Sequence, residues 1–254
     1  MHYPTAVSVE DITRHLTDVN ARIAAAAGRV GRDPSDVRLL PVSKTVTEDR
    51  IRLAVQAGCH QLGENKVQEA SRKARALADL DIAWSIIGHL QTNKARDVAR
   101  FAAEFHALDS LRVAEALDRR LQTEGRGIDV YVQVNTSAED SKYGLPPAEL
   151  HDFLRQLPRY QSLRVQGLMT LALFTTDTGR VRRCFQLLRS LRDRARDTDP
   201  ALIGPGGLSM GMSGDYETAI EEGATVVRVG QAIFGDRPTP DDEYWPASSD
   251  AAAQ

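Results

Sequence analysis

A single lysine, Lys44, stands at the end of an apolar run that reads LLPVSKT over residues 39–45. Lysine is rarely buried without a partner, so a lysine at the end of a buried strand requires an explanation. Two interpretations are open. In the first, Lys44 forms an ion pair with Glu64 or Glu69. In the second, a poorly hydrated pocket lowers the pKa of its amine, which could then attack an aldehyde.

Two glycine-containing segments near the carboxyl end of the sequence suggest a phosphate site. SMGMSGDYETAIEEG places Ser213 and Gly214 at the start of a predicted helix, and VRVGQAIFGDR places Gly230 directly after a predicted strand. Glycine allows the backbone to approach a phosphate closely, and free N–H groups at the start of a helix bind anions. The alternative is that these residues only form turns and a helix cap. Together with Lys44, the segments would suit a phosphorylated aldehyde, of which pyridoxal 5′-phosphate is the most common.

These residues belong to an alternating pattern of short strands and longer helices. Eight β-rich runs are predicted, at residues 37–43, 60–65, 83–88, 104–109, 128–135, 163–170, 207–212 and 225–230. A helical pattern follows each of the first seven runs, and several runs are apolar throughout, as in parallel strands that are covered on both faces. Eight such units predict an α/β fold, the closed (β/α)8 TIM barrel, in which functional residues occupy the carboxyl ends of the strands.

One domain is expected over residues 1–240. An additional helix is predicted at about residues 8–30, where apolar residues recur at helical spacing, and it should pack outside the barrel or over one end. The small, polar and alanine-rich tail at residues 241–254 is expected to be disordered.

Composition argues against several classes of partner. The formal net charge is −3, which gives no general attraction to nucleic acid. No apolar run is long enough to span a membrane, and the first residues do not resemble a secretion signal, so we expect a soluble cytoplasmic protein. Cys59 and Cys184 match no metal-binding spacing and are expected to be free thiols.

Five segments in a fixed order carry a family resemblance. They are LLPVSKTVTEDRIRLAVQAGCHQLGENKVQEA, WSIIGHLQTNKAR, VQVNTSAEDSKYGL, VQGLMT and LSMGMSGDYETAIEEGATVVRVGQAIFGDR, and they extend from about residue 37 to residue 237. In these segments the sequence resembles the pyridoxal phosphate homeostasis proteins, which are related to the N-terminal barrel of alanine racemases.

The resemblance implies that Lys44 forms an aldimine with pyridoxal 5′-phosphate. It also implies the set of residues that bind the cofactor, which is Lys44, Asn65, His89, Met169, Ser209, Met210, Ser213, Gly214, Arg228, Gly230 and Gln231.

Each part of this set has an implied role. Ser213, Gly214, Gly230 and Gln231 would surround the phosphate, with Ser209 and Met210 close by. Gln231 stands where a threonine or serine is often found, so its backbone N–H is the expected contact. Asn65, His89 and Met169 would line the ring pocket, although His89 and Met169 could also serve only for packing.

Arg228 would face the pyridine nitrogen. Arginine is always protonated and only donates hydrogen bonds, so it would keep that nitrogen unprotonated and weaken the cofactor as an electron sink. Related racemases supply a second base, a tyrosine, from an additional C-terminal domain. A chain of 254 residues is expected to have no room for that domain, and neither Tyr143 nor Tyr216 is in a racemase-like position.

The resemblance implies a protein that holds the cofactor as a reversible aldimine and passes it to apo-enzymes without significant turnover. An amino-acid racemase or decarboxylase is the alternative, and a barrel aldolase that uses Lys44 with a sugar phosphate is a third class. Lys142, in EDSKYG, either approaches the phosphate or a second cofactor molecule or is a solvated loop lysine. A monomer is expected, with a weak dimer as the alternative.

Overall fold

The computed structural model describes residues 3–139 and 142–236. The tail expected to be disordered, residues 241–254, lies outside them. The strands are β1 (Arg38–Pro41), β2 (Gln61–Glu64), β3 (Ala83–Ile86), β4 (Ala102–Leu108), β5 (Ile128–Gln133), β6 (Leu163–Met169), β7 (Gly207–Ser209) and β8 (Val226–Val229). The helices are α1 (Val9–Arg29), α2 (Glu48–Gln56), α3 (Val67–Ala76), α4 (Ala95–Phe101), α5 (Leu111–Thr123), α6 (Leu150–Leu154), α7 (Thr178–Thr198), α8 (Tyr216–Glu221) and α9 (Gln231–Phe234).

All eight strands form one parallel sheet in the order β1-β8-β7-β6-β5-β4-β3-β2. Just beyond the ends of β1 and β2, Val42 bridges Gly63 in parallel, and the Ser43 N–H donates to the Gly63 carbonyl at 2.9 Å. These contacts close the sheet into a barrel and confirm the predicted (β/α)8 fold. The carboxyl ends of all eight strands therefore meet at one end of the barrel.

Most strand residues are buried between the barrel interior and the helices, which is why several strand sequences are apolar rather than alternating. β8 is the extreme case, since all four of its residues are buried. Apolar stripes on the helices cover the sheet: α5, for example, buries Val113, Leu117 and Leu121. Its start is fixed by Ser110, whose hydroxyl accepts a hydrogen bond from the Val113 N–H at 3.3 Å.

Helix α1 packs outside the barrel against α8 and α9. Its buried stripe includes Ile12, Val19 and Ile23. Ion pairs add to this contact, with Arg22 lying 2.6 Å from Glu217 on α8. Helix α1 therefore supports the two helices that follow the last two strands.

The structure differs from the sequence prediction at two places near the carboxyl ends of the strands. β1 ends at Pro41, so Lys44 lies in the turn that follows the strand and not on the strand itself. A short helix, α9, follows β8, where the sequence predicted none. It begins after Gly230 and ends at Phe234, before Gly235, whose φ of 95° is readily adopted only by glycine.

Candidate functional site

Two adjoining cavities open at the carboxyl end of the barrel. Lys44, Ile87, Met212 and Arg228 line both of them. The first cavity extends toward the loops after β6, β7 and β8, and the second toward the loops after β2 and β3. Lys44 thus lies where the two cavities meet, at the same end of the barrel as Arg228.

The turn that carries Lys44 is held by buried polar groups. Thr45 has a φ of 66°, in the left-handed region that β-branched residues seldom adopt. Its N–H donates to Glu69 Oε1 at 2.9 Å. Both carboxylates considered as partners for Lys44 are bound by Lys73, whose Nζ lies 2.8 Å from Glu64 Oε1 and 2.7 Å from Glu69 Oε1.

The loops after β7 and β8 bring Ser213, Gly214, Gly230 and Gln231 to the wall of the first cavity. The Gly230 N–H donates to the Ser213 hydroxyl at 3.3 Å, which joins the two loops. Within the described part of the chain, the N–H groups of Ser213, Gly214 and Gln231 have no hydrogen-bond partner. These three donors are available to an anion in the cavity.

Two glycines shape this wall. A Cβ on Gly214 would meet nothing within 4 Å, so the backbone there lies open to an incoming group. A Cβ on Gly230 would lie 3.0 Å from the Val42 carbonyl oxygen, and the glycine therefore lets the β8 loop lie close to the end of β1. Ser213 and Gly214 lie in the loop before α8, and Gln231 is the first residue of α9, so the candidate donors come from a loop and from the start of a helix of only four residues.

Asp215 also lines the first cavity, and the sequence analysis did not single it out. Its carboxylate accepts a hydrogen bond from the Met212 N–H at 2.6 Å. Burial raises the pKa of Asp215, although that N–H and the charge of Arg228 oppose the shift. A carboxyl group that protonates more easily is a better neighbour for a phosphate than a fixed carboxylate.

Arg228 is buried, with 2% of its surface exposed, and its position is fixed by two acceptors. Nη1 donates to the Ser209 hydroxyl at 2.7 Å, and Nη2 donates to the Thr170 carbonyl at 2.8 Å. Burial lowers the pKa of Arg228 to about 10, with a small opposing effect from Asp215. The guanidinium therefore remains charged at neutral pH and is aimed by groups inside the barrel.

Behind Arg228, hydrogen bonds continue across the barrel interior. The Ser209 hydroxyl lies 2.9 Å from His106 Nδ1, and His106 Nε2 lies 2.9 Å from Glu104 Oε2. Since the ionised Glu104 can only accept, His106 Nε2 donates to it, and Nδ1 of the neutral imidazole therefore accepts from the Ser209 hydroxyl, which itself accepts from Arg228. Sequence analysis missed His106 and Glu104, although the order EFHAL on a predicted strand places both on one face.

Asn65 and His89, for which the resemblance implies a place in the ring pocket, both line the second cavity. A Cβ on the intervening Gly88 would lie 2.2 Å from both the backbone and side-chain oxygens of Asn65, so only glycine leaves Asn65 in place. The His89 ring stacks on Tyr143, with centroids 3.9 Å apart and an interplanar angle of 10°. Its Nδ1 lies 3.4 Å from Asp109 Oδ2.

Three residues of the implied set lie behind the cavity walls. Met169, Ser209 and Met210 are all fully buried, and they line neither of the two cavities. Ser209 reaches the site through Arg228, whereas Met169 and Met210 belong to the hydrophobic core. Side chains alternate along a strand, so a residue at a strand end can point into the wall as readily as into the cavity.

Loop residues that sequence analysis did not single out complete the rim. Leu173, Phe174 and Thr175, between β6 and α7, line the first cavity, and 71% of the surface of Phe174 is exposed. Lys142 joins this loop to the one after β5, since its Nζ donates to the Ala172 carbonyl at 2.9 Å and pairs with Glu139. The sequence singled out Lys142 in the loop after β5, but it gave no signal for residues 173–175, because the position of their loop depends on the packing of the two loops.

Residues 3–139 and 142–236 lack two further kinds of feature. No helix there has the length and apolar character that a membrane span requires. No cluster of three or more histidine, cysteine or acidic side chains there is arranged to hold a metal ion.

The chain is similar to known proteins over most of its length. Residues 15–238 match the family model described as the alanine racemase N-terminal domain. A pyridoxal phosphate homeostasis protein of Aquifex aeolicus is 40% identical over 223 residues, which is 87% of this chain and 96% of the relative. The protein of that name from Escherichia coli strain K12 is 38% identical over 236 residues, or 90% of this chain and 98% of the relative.

The chain is also similar to solved structures. PipY of Synechococcus elongatus, with pyridoxal phosphate bound, has a TM-score of 0.77 and 35% identity, and the match covers 88% of this chain and all of PipY. Alanine racemase of Streptomyces lavendulae, at 17% identity and a TM-score of 0.70, shares the fold over 95% of this chain and 61% of the racemase.

Proposed function

The chain belongs to the pyridoxal phosphate homeostasis proteins, a family built on the alanine racemase N-terminal domain, and from this premise we propose that it holds pyridoxal 5′-phosphate as an aldimine at Lys44. Its role is in the homeostasis of the cofactor. It keeps a reactive aldehyde bound reversibly and releases it to apo-enzymes, without significant turnover of amino acids.

One observation carries this proposal: Lys44, Arg228, Ser213, Gly214 and Gln231 line the same cavity, and within the described ranges the N–H groups of the last three have no hydrogen-bond partner. When bound, pyridoxal 5′-phosphate supplies an aldehyde carbon that an amine can capture reversibly. Lys44 supplies the amine. The loop N–H groups hold the phosphate, and the open face of Gly214 leaves room for it.

Arg228 donates to the ring nitrogen in this arrangement. Its other donors already bind Ser209 and Thr170, so its orientation does not depend on the ligand. A cationic donor at that atom keeps the nitrogen unprotonated and favours holding the cofactor over chemistry on amino acids. Asn65 and His89 confine the ring on the side of the second cavity.

A racemase or decarboxylase is the competing proposal, and it needs a second acid–base group beside the ring. Tyr216 lies under Arg22 of α1 and lines neither cavity. Tyr143 lines the second cavity but is stacked on His89, with 59% of its surface exposed. These positions support the role as a cofactor carrier.

The proposal extends to partners and location. Apo-enzymes that use the cofactor are the proposed recipients, and a monomer is the proposed state. A cytoplasmic location is supported by Cys59 and Cys184, which are both free and buried.

Absorbance spectra of the purified protein with added pyridoxal 5′-phosphate test the role of Lys44. We expect a visible imine band that borohydride removes, and we expect Lys44→Ala to lack both the band and the reduced adduct. Lys94→Ala is the matched control, because Lys94 lines the second cavity with Lys44. An unchanged band in Lys44→Ala would reject the assignment of the lysine.

Turnover is tested separately. The loaded protein is incubated with L-alanine and other L-amino acids, and the products are separated by chiral chromatography. We expect no D-enantiomer or decarboxylated amine above the level of free cofactor. Sustained, enzyme-dependent conversion would instead establish the racemase or decarboxylase.

A further inference from the structure

Lys73, on α3, has a fully buried side chain that reaches the turn before α2. Its Nζ lies 2.7 Å from the Ser43 carbonyl oxygen, 2.8 Å from Glu64 Oε1 and 2.7 Å from Glu69 Oε1. An ammonium group has three N–H donors, and each of these acceptors can take one. The side chain is therefore fixed at its tip as well as along its length.

The acceptors of Lys73 lie on both sides of Lys44. Ser43, the preceding residue, is held at its carbonyl by Lys73, at its N–H by Gly63, and at its hydroxyl by Glu64 at 2.6 Å. Thr45, the following residue, donates its N–H to the same Glu69 oxygen that Lys73 binds. The backbone is thus clamped immediately before and immediately after Lys44.

The clamp holds an unfavourable conformation. Thr45 is one of only two residues other than glycine with a positive φ in the described ranges, and its φ of 66° is costly for a β-branched residue. The surroundings must impose such a conformation. Here the bond from the Thr45 N–H to Glu69, and the charge of Lys73 on that carboxylate, do so.

The pKa shifts of Glu64 and Glu69 are consistent with their contacts to Lys73. Burial alone would raise the pKa of Glu69, but Lys73 and the Thr45 N–H lower it on balance, so the carboxylate stays ionised. Burial raises the pKa of Glu64, and Lys73 and Ser43 offset part of this shift. A buried lysine adds little net stability over an apolar side chain of similar size, so stability alone does not account for a charge at this position.

We propose that Lys73 is a positioning residue, which acts through Glu69 and Ser43 to hold the turn at residues 43–45 in the one conformation that directs Lys44 into the cavity. This inference rests on the proposed function in one respect only, which is the identity of the ligand that Lys44 binds.

Glu69→Ala tests the clamp, because 23% of the Glu69 side chain is exposed and its removal leaves no large buried cavity. Glu69→Gln is the conservative variant, since its amide oxygen can accept from both Thr45 and Lys73. Glu48→Ala is the matched control. Glu48 is 27% exposed and pairs with Arg72, next to Lys73, and in the described part of the chain its carboxylate makes no hydrogen bond or ion pair with residues 43–45.

Two readouts need no cofactor. Hydrogen exchange reports the Thr45 amide, and the rate at which a small acylating reagent modifies Lys44, relative to Lys94, reports the environment of the amine. In Glu69→Ala we expect Thr45 exchange to accelerate and the relative reactivity of Lys44 to change, both by about tenfold. We expect Glu69→Gln to stay within about twofold of wild type and Glu48→Ala to match it.

A third readout is the rate at which borohydride fixes pyridoxal 5′-phosphate to Lys44, which we expect to fall about tenfold in Glu69→Ala. Wild-type rates for Glu69→Ala in all three measurements would overturn the proposal. A lower melting temperature of this variant, with unchanged reactivity of Lys44 and an unchanged rate of cofactor fixation, would also overturn it. Wild-type protein that fixes no cofactor at Lys44 would reject the proposed function, while the first two readouts still decide the clamp. If Glu69→Ala does not fold, Glu69→Asp replaces it, because the aspartate side chain is too short for its carboxylate to reach both the Thr45 N–H and Lys73.

Discussion

Glu104 and His106 decide how the barrel interior responds to acid. Burial alone would raise the pKa of Glu104, but hydrogen bonds and charges from His106 and Arg38 lower it to about 2. Burial lowers the pKa of His106, and Glu104 offsets only part of that shift. The folded protein therefore holds an ionised carboxylate beside a neutral imidazole, the state that gives Ser209 and Arg228 their hydrogen-bond directions.

The sign of the pH dependence follows from these two shifts. In an unfolded chain the two groups titrate near their ordinary values, at about pH 4.3 and about pH 6.5. Below those values the unfolded state binds more protons than the folded state, so folding stability falls as the pH falls. The contribution of Glu104 is complete above its unfolded pKa and is lost between about pH 4 and about pH 2.

Glu104→Gln tests this account. We expect a loss of about 3 kcal/mol at pH 7, because the substitution leaves His106 and Arg38 without a buried anionic partner. The difference in the free energy of unfolding between the variant and the wild type should become smaller as the pH falls below about 4. Urea denaturation at several pH values measures this difference. Glu124→Gln, which changes an exposed carboxylate that pairs with Arg100, should show a small and flat difference.

At the scale of elements, the pairing of β6 with β7 depends on one glycine. Gly167 has a φ of 149°, and a Cβ there would lie 1.9 Å from the Gly207 carbonyl oxygen on β7. No flexible side chain could move aside, because the nearest atoms are all backbone. The strand pair that supports Ser209 therefore allows no side chain at this position.

We expect Gly167→Ala to destabilise the fold by more than about 3 kcal/mol, through the clash and the positive φ together. Gly28→Ala provides the comparison, because Gly28 lies in α1, where an added Cβ would meet nothing within 4 Å, and the variant should gain about 0.5–1 kcal/mol. Thermal unfolding of both variants measures the effects. Equal melting temperatures for the two would show that the strands can separate at Gly167 without penalty.

Sequence patterns predict elements well here because each strand is a short apolar run between helical stretches. They also locate Lys44, Ser213, Gly214 and Gly230, which follow strand ends, and Arg228, which lies within β8, and all five line the first cavity. Lys73 could not be found in this way. It lies in the polar helix VQEASRKARA, and only the packing of α3 against the β1 turn distinguishes it from its charged neighbours.

The same limit explains why the sequence does not show that Met169 and Met210 are buried in the core. Both stand at strand ends, where the family resemblance implied a place in the pocket, yet both are fully buried in the core. The direction of a side chain at a strand end depends on where the strand stops and the turn begins, and single residues decide that. β1 shows the same effect, since it stops three residues before Lys44.

At the scale of the whole molecule, the proposed ligand contacts residues from opposite ends of the sequence. Lys44 follows β1, while Ser213, Gly214 and Gln231 follow β7 and β8. A ligand that binds the folded state alone stabilises it by mass action, by about 2.7 kcal/mol at one hundred times its dissociation constant. Binding should therefore hold the first and last strands of the barrel together.

We expect pyridoxal 5′-phosphate to raise the melting temperature of the wild type in a concentration-dependent way, and inorganic phosphate to raise it less. In Lys44→Ala, we expect most of the stabilisation by pyridoxal 5′-phosphate to be lost. The smaller stabilisation by inorganic phosphate should remain, because the loop N–H groups are unchanged. Differential scanning calorimetry over a range of ligand concentrations measures both. A Lys44→Ala variant that responds to the cofactor as wild type does would contradict the shared site.

The pairing of β1 with β8 also sets the order of events during synthesis. Arg38 aligns with Val226 and Pro41 with Val229, so the first strand must wait for almost the whole barrel before its partner leaves the ribosome. Until then the lysine turn exists without the loops proposed to hold the phosphate. A nascent chain stalled before residue 226 should thus be unable to retain the cofactor, and the capacity to sequester it should arise late, in one step, as the last strand docks.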